Sequence, residues 1–223
     1  TETQGTIAVG KFDQAQMKQL KKLNEELLFV DFDGLALGIN SLVVDFSQGV
    51  QLIIDQFIKE KHERIGILSG MEYTKGSRHE IDDPRFLVFR EYLTRLKLYN
   101  EADHLQGAFT IEGGYTAMKT YLESHTDYPT AFFASSDALA IGAMRAIQGH
   151  GLRIPEDISV IGFNDVSVAK YVTPALTTVK VYTEWMGELA VSTILELIQE
   201  KAPVPRKITV GTELILREST RDS

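Results

Sequence analysis

The chain contains no cysteine. That excludes a disulfide framework, thiol catalysis and any zinc or iron–sulfur site built on thiolates, and it fits a reducing compartment. Positive charge is short as well: 23 Lys and Arg stand against 31 Asp and Glu, a net charge of −8 over 223 residues. Phosphate backbones are bound by clustered cations, so this stretch is not expected to carry a nucleic-acid surface of its own. No apolar run approaches the roughly 18 residues of a membrane span, so no membrane partner is expected. The N-terminus, Thr1–Gly5, has neither the basic start nor the apolar stretch of a secretory leader. It lacks an initiating Met and enters a strand pattern at once, which reads as the cut end of a longer chain. Five histidines (His62, His79, His104, His125, His150) show no HExxH or paired spacing. They are expected as solvated residues at helix ends and in loops, and no metal site follows from them. A GxSxG nucleophile is also lacking, so no serine hydrolase is expected.

What is present is an ordinary globular composition, 43% apolar and 24% charged. The length suits one large domain or two small lobes around a sizeable core. Short apolar runs alternate with helical patterns, the signature of an α/β protein with mostly parallel sheets. The runs are Thr6–Val9, Leu27–Phe32, Leu42–Val44, Ile65–Leu68, Ala131–Ala134 and Ile158–Phe163. They are almost continuously apolar, as strands covered on both faces must be. Three stripes with a 3.6-residue period predict helices: Val50, Ile53, Ile54, Phe57 and Ile58 after a cap at Ser47; Phe86, Phe89, Leu93 and Leu96; and Met186, Leu189, Ala190, Ile194 and Leu197. Gly149-His150-Gly151 ends a further helix, and the polar segment Tyr73–Asp83 is expected as a mobile surface loop.

Two motifs point towards phosphate chemistry. Gly5–Phe12 has the GxxxxGK spacing of a P-loop, but Phe12 replaces the hydroxyl that would hold Mg²⁺ and the intervening residues are strand-like. A buried strand ending at a glycine turn is the better reading. Leu28–Gly34 is similar to the hhhDxDG motif of haloacid-dehalogenase-type phosphatases, in which Asp31 would be nucleophile and Asp33 general acid. Against it, Leu35 replaces the usual Thr, and no lysine is clearly placed to hold a phosphoryl group.

The longest chain of motifs runs through Ala134-Ser135-Ser136-Asp137-Ala138-Leu139-Ala140-Ile141-Gly142, Gly151–Asp165, Thr173-Pro174-Ala175-Leu176-Thr177-Thr178 and Leu216-Arg217-Glu218-Ser219-Thr220. In order and spacing it resembles the effector-binding core of LacI/GalR-family transcriptional regulators. Arg64–Gly70, Arg85–Phe89 and Gly113-Gly114-Tyr115 fit the same pattern. The resemblance implies an α/β, two-lobed periplasmic-binding-protein-like fold with parallel sheets flanked by helices and a small molecule held between the lobes. One lobe takes 1–44 and 182–211, the other 46–180 and 213–219, with crossovers near Asp45, Val181 and Thr212.

Carried over by motif, Asp31, Arg85, Phe109, Ser136 and Asn164 correspond to effector contacts. Phe109 suits the apolar face of a pyranose, Arg85 offers a fork of donors, and Asp31 and Asn164 exchange hydrogen bonds with hydroxyls. Each has a plainer role to weigh: Ser136 as a helix cap, Arg85 paired with Asp82 or Asp83, Phe109 as core. Ser136 and Asn164 replace the Asn and Asp of many relatives, and Val181 stands where some sugar binders carry a polar residue. The resemblance further implies a cytoplasmic, non-enzymatic, homodimeric repressor without a cofactor. Its effector would be a neutral sugar, galactose or a galactoside given the Gly10-Lys11-Phe12 turn. Operator DNA would be bound through an N-terminal headpiece that this stretch lacks, along with the first two strand–helix units of the N-terminal lobe. An extracytoplasmic sugar-binding protein and the phosphatase remain the alternatives.

Overall fold

A computed structural model of the chain describes residues 3–73, 80–200 and 202–221. The described residues group into two compact units, those within 1–45, 73–80 and 182–211, and those within 46–72, 81–181 and 212–223.

In the first unit, β1 (Thr6–Val9) leads into α1 (Gln14–Leu23), which starts where Asp13 and Gln16 close a reciprocal capping box. Then come β2 (Leu27–Val30) and β3 (Asn40–Val44), joined through a 3-10 turn at Leu35–Leu37. β2 stops at Val30, short of the expected Phe32, because Asp31 turns the backbone to φ 65°. The unit's remaining elements return late in the chain, after the second unit has been built.

The second unit begins with α2 (Phe46–Lys59). The helix already contains Ser47, so the cap expected there is displaced. The Asp45 N–H still bonds the Val210 carbonyl at 2.8 Å, and the chain can turn into a helix only at the next residue. β4 (Ile65–Gly70) follows; where a loop was expected, β5 (Glu72–Tyr73) and β6 (Glu80–Ile81) form a two-stranded ribbon, of which Tyr73 and Glu80 group with the first unit, and residues 74–79 lie outside the described residues. α3 (Pro84–Arg95), β7 (His104–Gly107), α4 (Ile111–Ser124), β8 (Ala131–Ala134), α5 (Asp137–Gly149), β9 (Ser159–Asn164) and β10 (Thr177–Lys180) continue the alternation. The chain then supplies α6 (Thr183–Gln199) and β11 (Lys207–Val210) to the first unit, and β12 (Glu213–Ile215) to the second.

The first sheet is wholly parallel in the order β1-β2-β3-β11. Ala8, Met17, Leu27, Phe29 and Ile39 form a buried cluster beside it. The second sheet has the order β12-β10-β9-β8-β4-β7 and is parallel except for the final β10–β12 pair. Its strands alternate strictly despite their uniform apolarity. Ile65, Ile67, Ala131, Phe133, Ile161 and Phe163 pack under α2 and α3. Leu68, Phe132, Ala134 and Val160 pack under α4 and α5. Each fully buried Phe or Ile contributes roughly 2–3 kcal/mol, and this double-sided core is what fixes the strand ends in space. Two predicted stripe residues, Ile58 and Leu96, face outward instead, because the stripe is narrower than the periodicity suggested. Among the described residues no helix is long and apolar enough to cross a membrane.

Candidate functional site

β4 lies between β7 and β8: the chain runs from β4 out to β7 and then back past β4 to β8, so the strand order reverses there. In open parallel sheets the crevice at such a reversal, beyond the carboxyl ends of the strands, is where ligands bind. Four of the five predicted residues sit there, within the second unit. Ser136 follows β8 and Asn164 ends β9; Phe109 follows β7, and Arg85 opens α3. A cavity of about 300 Å³ brings Phe109, Ser136 and Asn164 together with Ile111, Asp137 and Val168. A larger hollow of about 700 Å³ runs along β7 and α4 from Leu105 to Ser124 and includes none of the predicted residues. The smaller cavity is the one that gathers three of the predicted residues; Arg85 does not line it.

Arg85 is the most constrained member. Its guanidinium carbon lies 5.1 Å from the Phe46 ring centroid, 5.3 Å from Phe109 and 5.7 Å from Phe163. The charge thus sits among three aromatic faces that attract it electrostatically. Asp83 caps α3 and accepts from the Arg85 N–H at 3.0 Å and from Nε at 2.7 Å through the same oxygen, Oδ1. Nη2 reaches Glu72 more distantly, at 3.4 Å. The pairing with Asp83 weighed from the sequence is therefore present, and it leaves the guanidinium fork held at its Nε edge.

Phe109 is half-buried, its ring against Gly70 at the end of β4. The Gly70 N–H in turn donates to Ser135 Oγ at 3.1 Å, tying the ends of β4 and β8 together. Ser136 does cap its helix, accepting from the Leu139 N–H at 3.2 Å. Asn164 and Asp165 both take positive φ, 111° and 60°, a pair of conformations that Asn and Asp tolerate best. Asp165 is held by Arg217 Nη2 at 2.7 Å. Val181 packs on the apolar cluster under α2 and α3.

Asp137, quoted in the motif but not singled out, organises this edge. Wholly buried, it accepts from Thr178 Oγ1 at 2.5 Å and from the Val166 N–H at 2.7 Å. Burial pushes its carboxyl up to about 6, against the lowering pull of those two hydrogen bonds. Asp31 belongs to the first unit, directly after β2, where it is exposed and at φ 65°. Nearby, Asp33 pairs with Lys207 Nζ at 2.8 Å, a lysine that the sequence did not reveal. The pair holds the Asp33 carboxyl below the usual carboxylate range.

Two histidines depart from the expected solvated surface. His62 is buried, with Nδ1 2.8 Å from Thr130 Oγ1 and Nε2 3.1 Å from Glu60 Oε2 and 3.2 Å from Ser159 Oγ. Burial pushes Glu60 up, yet hydrogen bonds from His62, Gln56 and the Arg221 N–H leave it net below its ordinary value. His104 is half-buried in β7, its Nε2 2.7 Å from Ser69 Oγ and its ring stacked on Phe86. These contacts lie among strands and helices far apart in sequence, which is why the local polar context misled. No group of three or more acidic or histidine side chains among the described residues could hold a metal ion.

Residues 54–220 match the family described as periplasmic binding protein-like domain. The sequence is 37% identical over 220 residues to the HTH-type transcriptional regulator GalR of Streptococcus thermophilus, covering 99% of this chain and 66% of the relative. It is 35% identical to the regulator of the same name from Lacticaseibacillus casei, over 97% of this chain and 66% of the relative. The chain therefore spans just under two thirds of the length of these relatives. Among solved structures, a lac repressor dimer bound to operator and the anti-inducer ONPF superposes with a TM-score of 0.85 at 27% identity, over 98% of this chain and 64% of that one.

Proposed function

Because the chain belongs to the periplasmic binding protein-like domain family, in its LacI/GalR regulator branch, we propose that it is the effector-sensing core of a transcriptional repressor. The effector is a neutral sugar, with a galactoside as the first candidate, and Arg85, Phe109, Ser136 and Asn164 contact it. One observation carries this reading: Phe109, Ser136 and Asn164 line one cavity beyond the carboxyl ends of the strands, and the Arg85 guanidinium carbon lies 5.3 Å from the Phe109 ring. An aromatic face with polar neighbours suits a ring whose faces are apolar and whose rim is hydroxylated. Asp31 is a fifth contact in this proposal. The two compact units correspond to the two lobes.

Operator binding by the whole protein is part of the same proposal, through a segment outside this stretch, since the acidic balance here supplies no phosphate-binding surface. A homodimer in the cytoplasm completes it. The sugar acts on DNA affinity only through the difference in its affinity for two conformations of the core.

Calorimetric titration of the full-length protein with galactose, lactose, raffinose, glucose 6-phosphate and adenine tests the reading. Binding of a neutral sugar that weakens in both Arg85→Ala and Asp31→Ala is expected. Binding of adenine or the phosphosugar alone overturns it, and so does Mg²⁺-dependent phosphoester hydrolysis abolished by Asp31→Asn.

A further inference from the structure

An arginine at a ligand site ordinarily invites an anion, because its fork matches carboxylate and phosphate. Here the guanidinium is already engaged. Arg85 and Asp83 have side-chain exposures of only 7% and 1%, and their ion pair is 2.7 Å long. Asp83 Oδ1 takes both donors that Arg85 directs at it, while Oδ2 is buried with no hydrogen-bond partner. The full carboxylate charge therefore bears on one cation, with no other donor to share it. Glu72 adds a second negative group 3.4 Å from Nη2. Nη1 makes no hydrogen bond among the described residues, so the fork keeps a donor while its charge is cancelled.

From this geometry, we infer that Asp83 is a specificity-determining residue: it converts Arg85 from an anion receptor into a neutral hydrogen-bond donor, and so selects uncharged sugars over uronates and phosphosugars. The inference rests on the sugar-sensing reading above and names the chemical class that this site rejects. Coulomb repulsion explains the direction. An anionic ligand beside the fork finds the guanidinium charge already offset by Asp83 and meets the carboxylates of Asp83 and Glu72, in surroundings too dry to screen them. A hydroxyl meets only the guanidinium's donor dipole. Asp83 need not touch the ligand; it acts through the guanidinium and is a positioning residue in that sense. A purely structural cap would affect both ligand classes alike.

Matched pairs decide the matter: galactose against galacturonate, and glucose against glucuronate, titrated calorimetrically into the full-length protein. Wild type is expected to favour the neutral member of the pair it binds by about 100-fold or more, the range that like-charge juxtaposition opens. Asp83→Asn keeps a helix cap and removes the charge. It is expected to shift the neutral-to-anionic ratio by at least tenfold towards the anion, and Asp83→Ser, a second cap without charge, in the same direction. Wild-type sugar binding with an unchanged ratio in both variants overturns this inference alone. Equal affinity of wild type for both members overturns it without recourse to any variant. Binding of galacturonate or glucuronate but neither neutral sugar overturns both the inference and the proposed effector class.

Discussion

Gly70 and Phe109 interlock. The Phe109 ring lies where a Cβ on residue 70 would have to be, with three ring carbons closer than any van der Waals contact allows. The absence of a side chain at the end of β4 therefore sets the position of the aromatic face in the candidate site. Gly70→Ala must displace the ring or the strand end. Overpacking of this kind typically costs about 1–3 kcal/mol. We expect a drop of that size in urea denaturation and at least a tenfold loss of sugar affinity by calorimetry. Unchanged affinity would separate Phe109 from the ligand.

Arg85 and Asp83 are coupled in stability as well as in charge. Arg85→Ala leaves a buried carboxylate with only the helix N–H to satisfy it, and removing one partner of a buried pair costs about 3–5 kcal/mol. Arg85→Ala with Asp83→Asn should recover part of that loss, because the double variant carries no unpaired charge. A double-mutant cycle in guanidinium chloride measures the coupling.

Asp137 makes a signed prediction about pH. Its carboxyl titrates near 6 in the folded chain against an ordinary 3.8, so the native state holds the proton more tightly. The stability tied to this group is fully present below about pH 4 and is lost as pH rises through 6. Two units correspond to about 3 kcal/mol. Glu60 and Asp103, both held below their ordinary values, run the opposite way: their contribution is lost as pH falls. Comparison with Asp137→Asn isolates the first effect. Between pH 4.5 and 7.5 the stability of the wild type should fall relative to the variant. A constant difference over that range would contradict the assignment.

Helices α4 and α5 meet through glycines. A Cβ on Gly142 would collide with the Ile111 carbonyl and the Tyr115 N–H, and one on Gly114 with the Leu139 backbone. Neither partner is a flexible side-chain end, so the helices must separate. Gly142→Ala is expected to lower stability by about 1–3 kcal/mol despite the better helix propensity of alanine. The midpoint of a thermal melt, several degrees lower, would show it.

Legibility in the sequence was uneven, and for physical reasons. Strands such as Ile65–Gly70 and Ala131–Ala134 announce themselves because both faces are covered and every position must be apolar. The helical stripes overreach only at their edges, at Ile58 and Leu96. The candidate site could be approached only through motif resemblance, since Arg85, Phe109, Ser136 and Asn164 share no local pattern. Phe46 and Phe163 each look like ordinary core on their own element; that both face one guanidinium depends on the register of α2, α3 and β9. Asp83 follows Asp82 in the sequence, and only the fold decides that Asp83 both caps α3 and pairs with Arg85. His62 sits in the polar run Lys59–Arg64, and its partners Thr130 and Ser159 come from strand starts 68 and 97 residues away.

The interleaving of the two units has a consequence for biosynthesis. The second unit's sheet is not finished when residue 181 has been made, because its outermost strand, β12, comes only at residues 213–215, after α6 and β11 have been delivered elsewhere. Until then β10 presents a free edge to whatever else is nascent in the cell, and open edges template pairing between chains. A ribosome that stalls between residues 181 and 213 therefore leaves a nearly complete sheet with an adhesive border. A truncated product ending at 211 should be lost to aggregates even though most of both units has been translated.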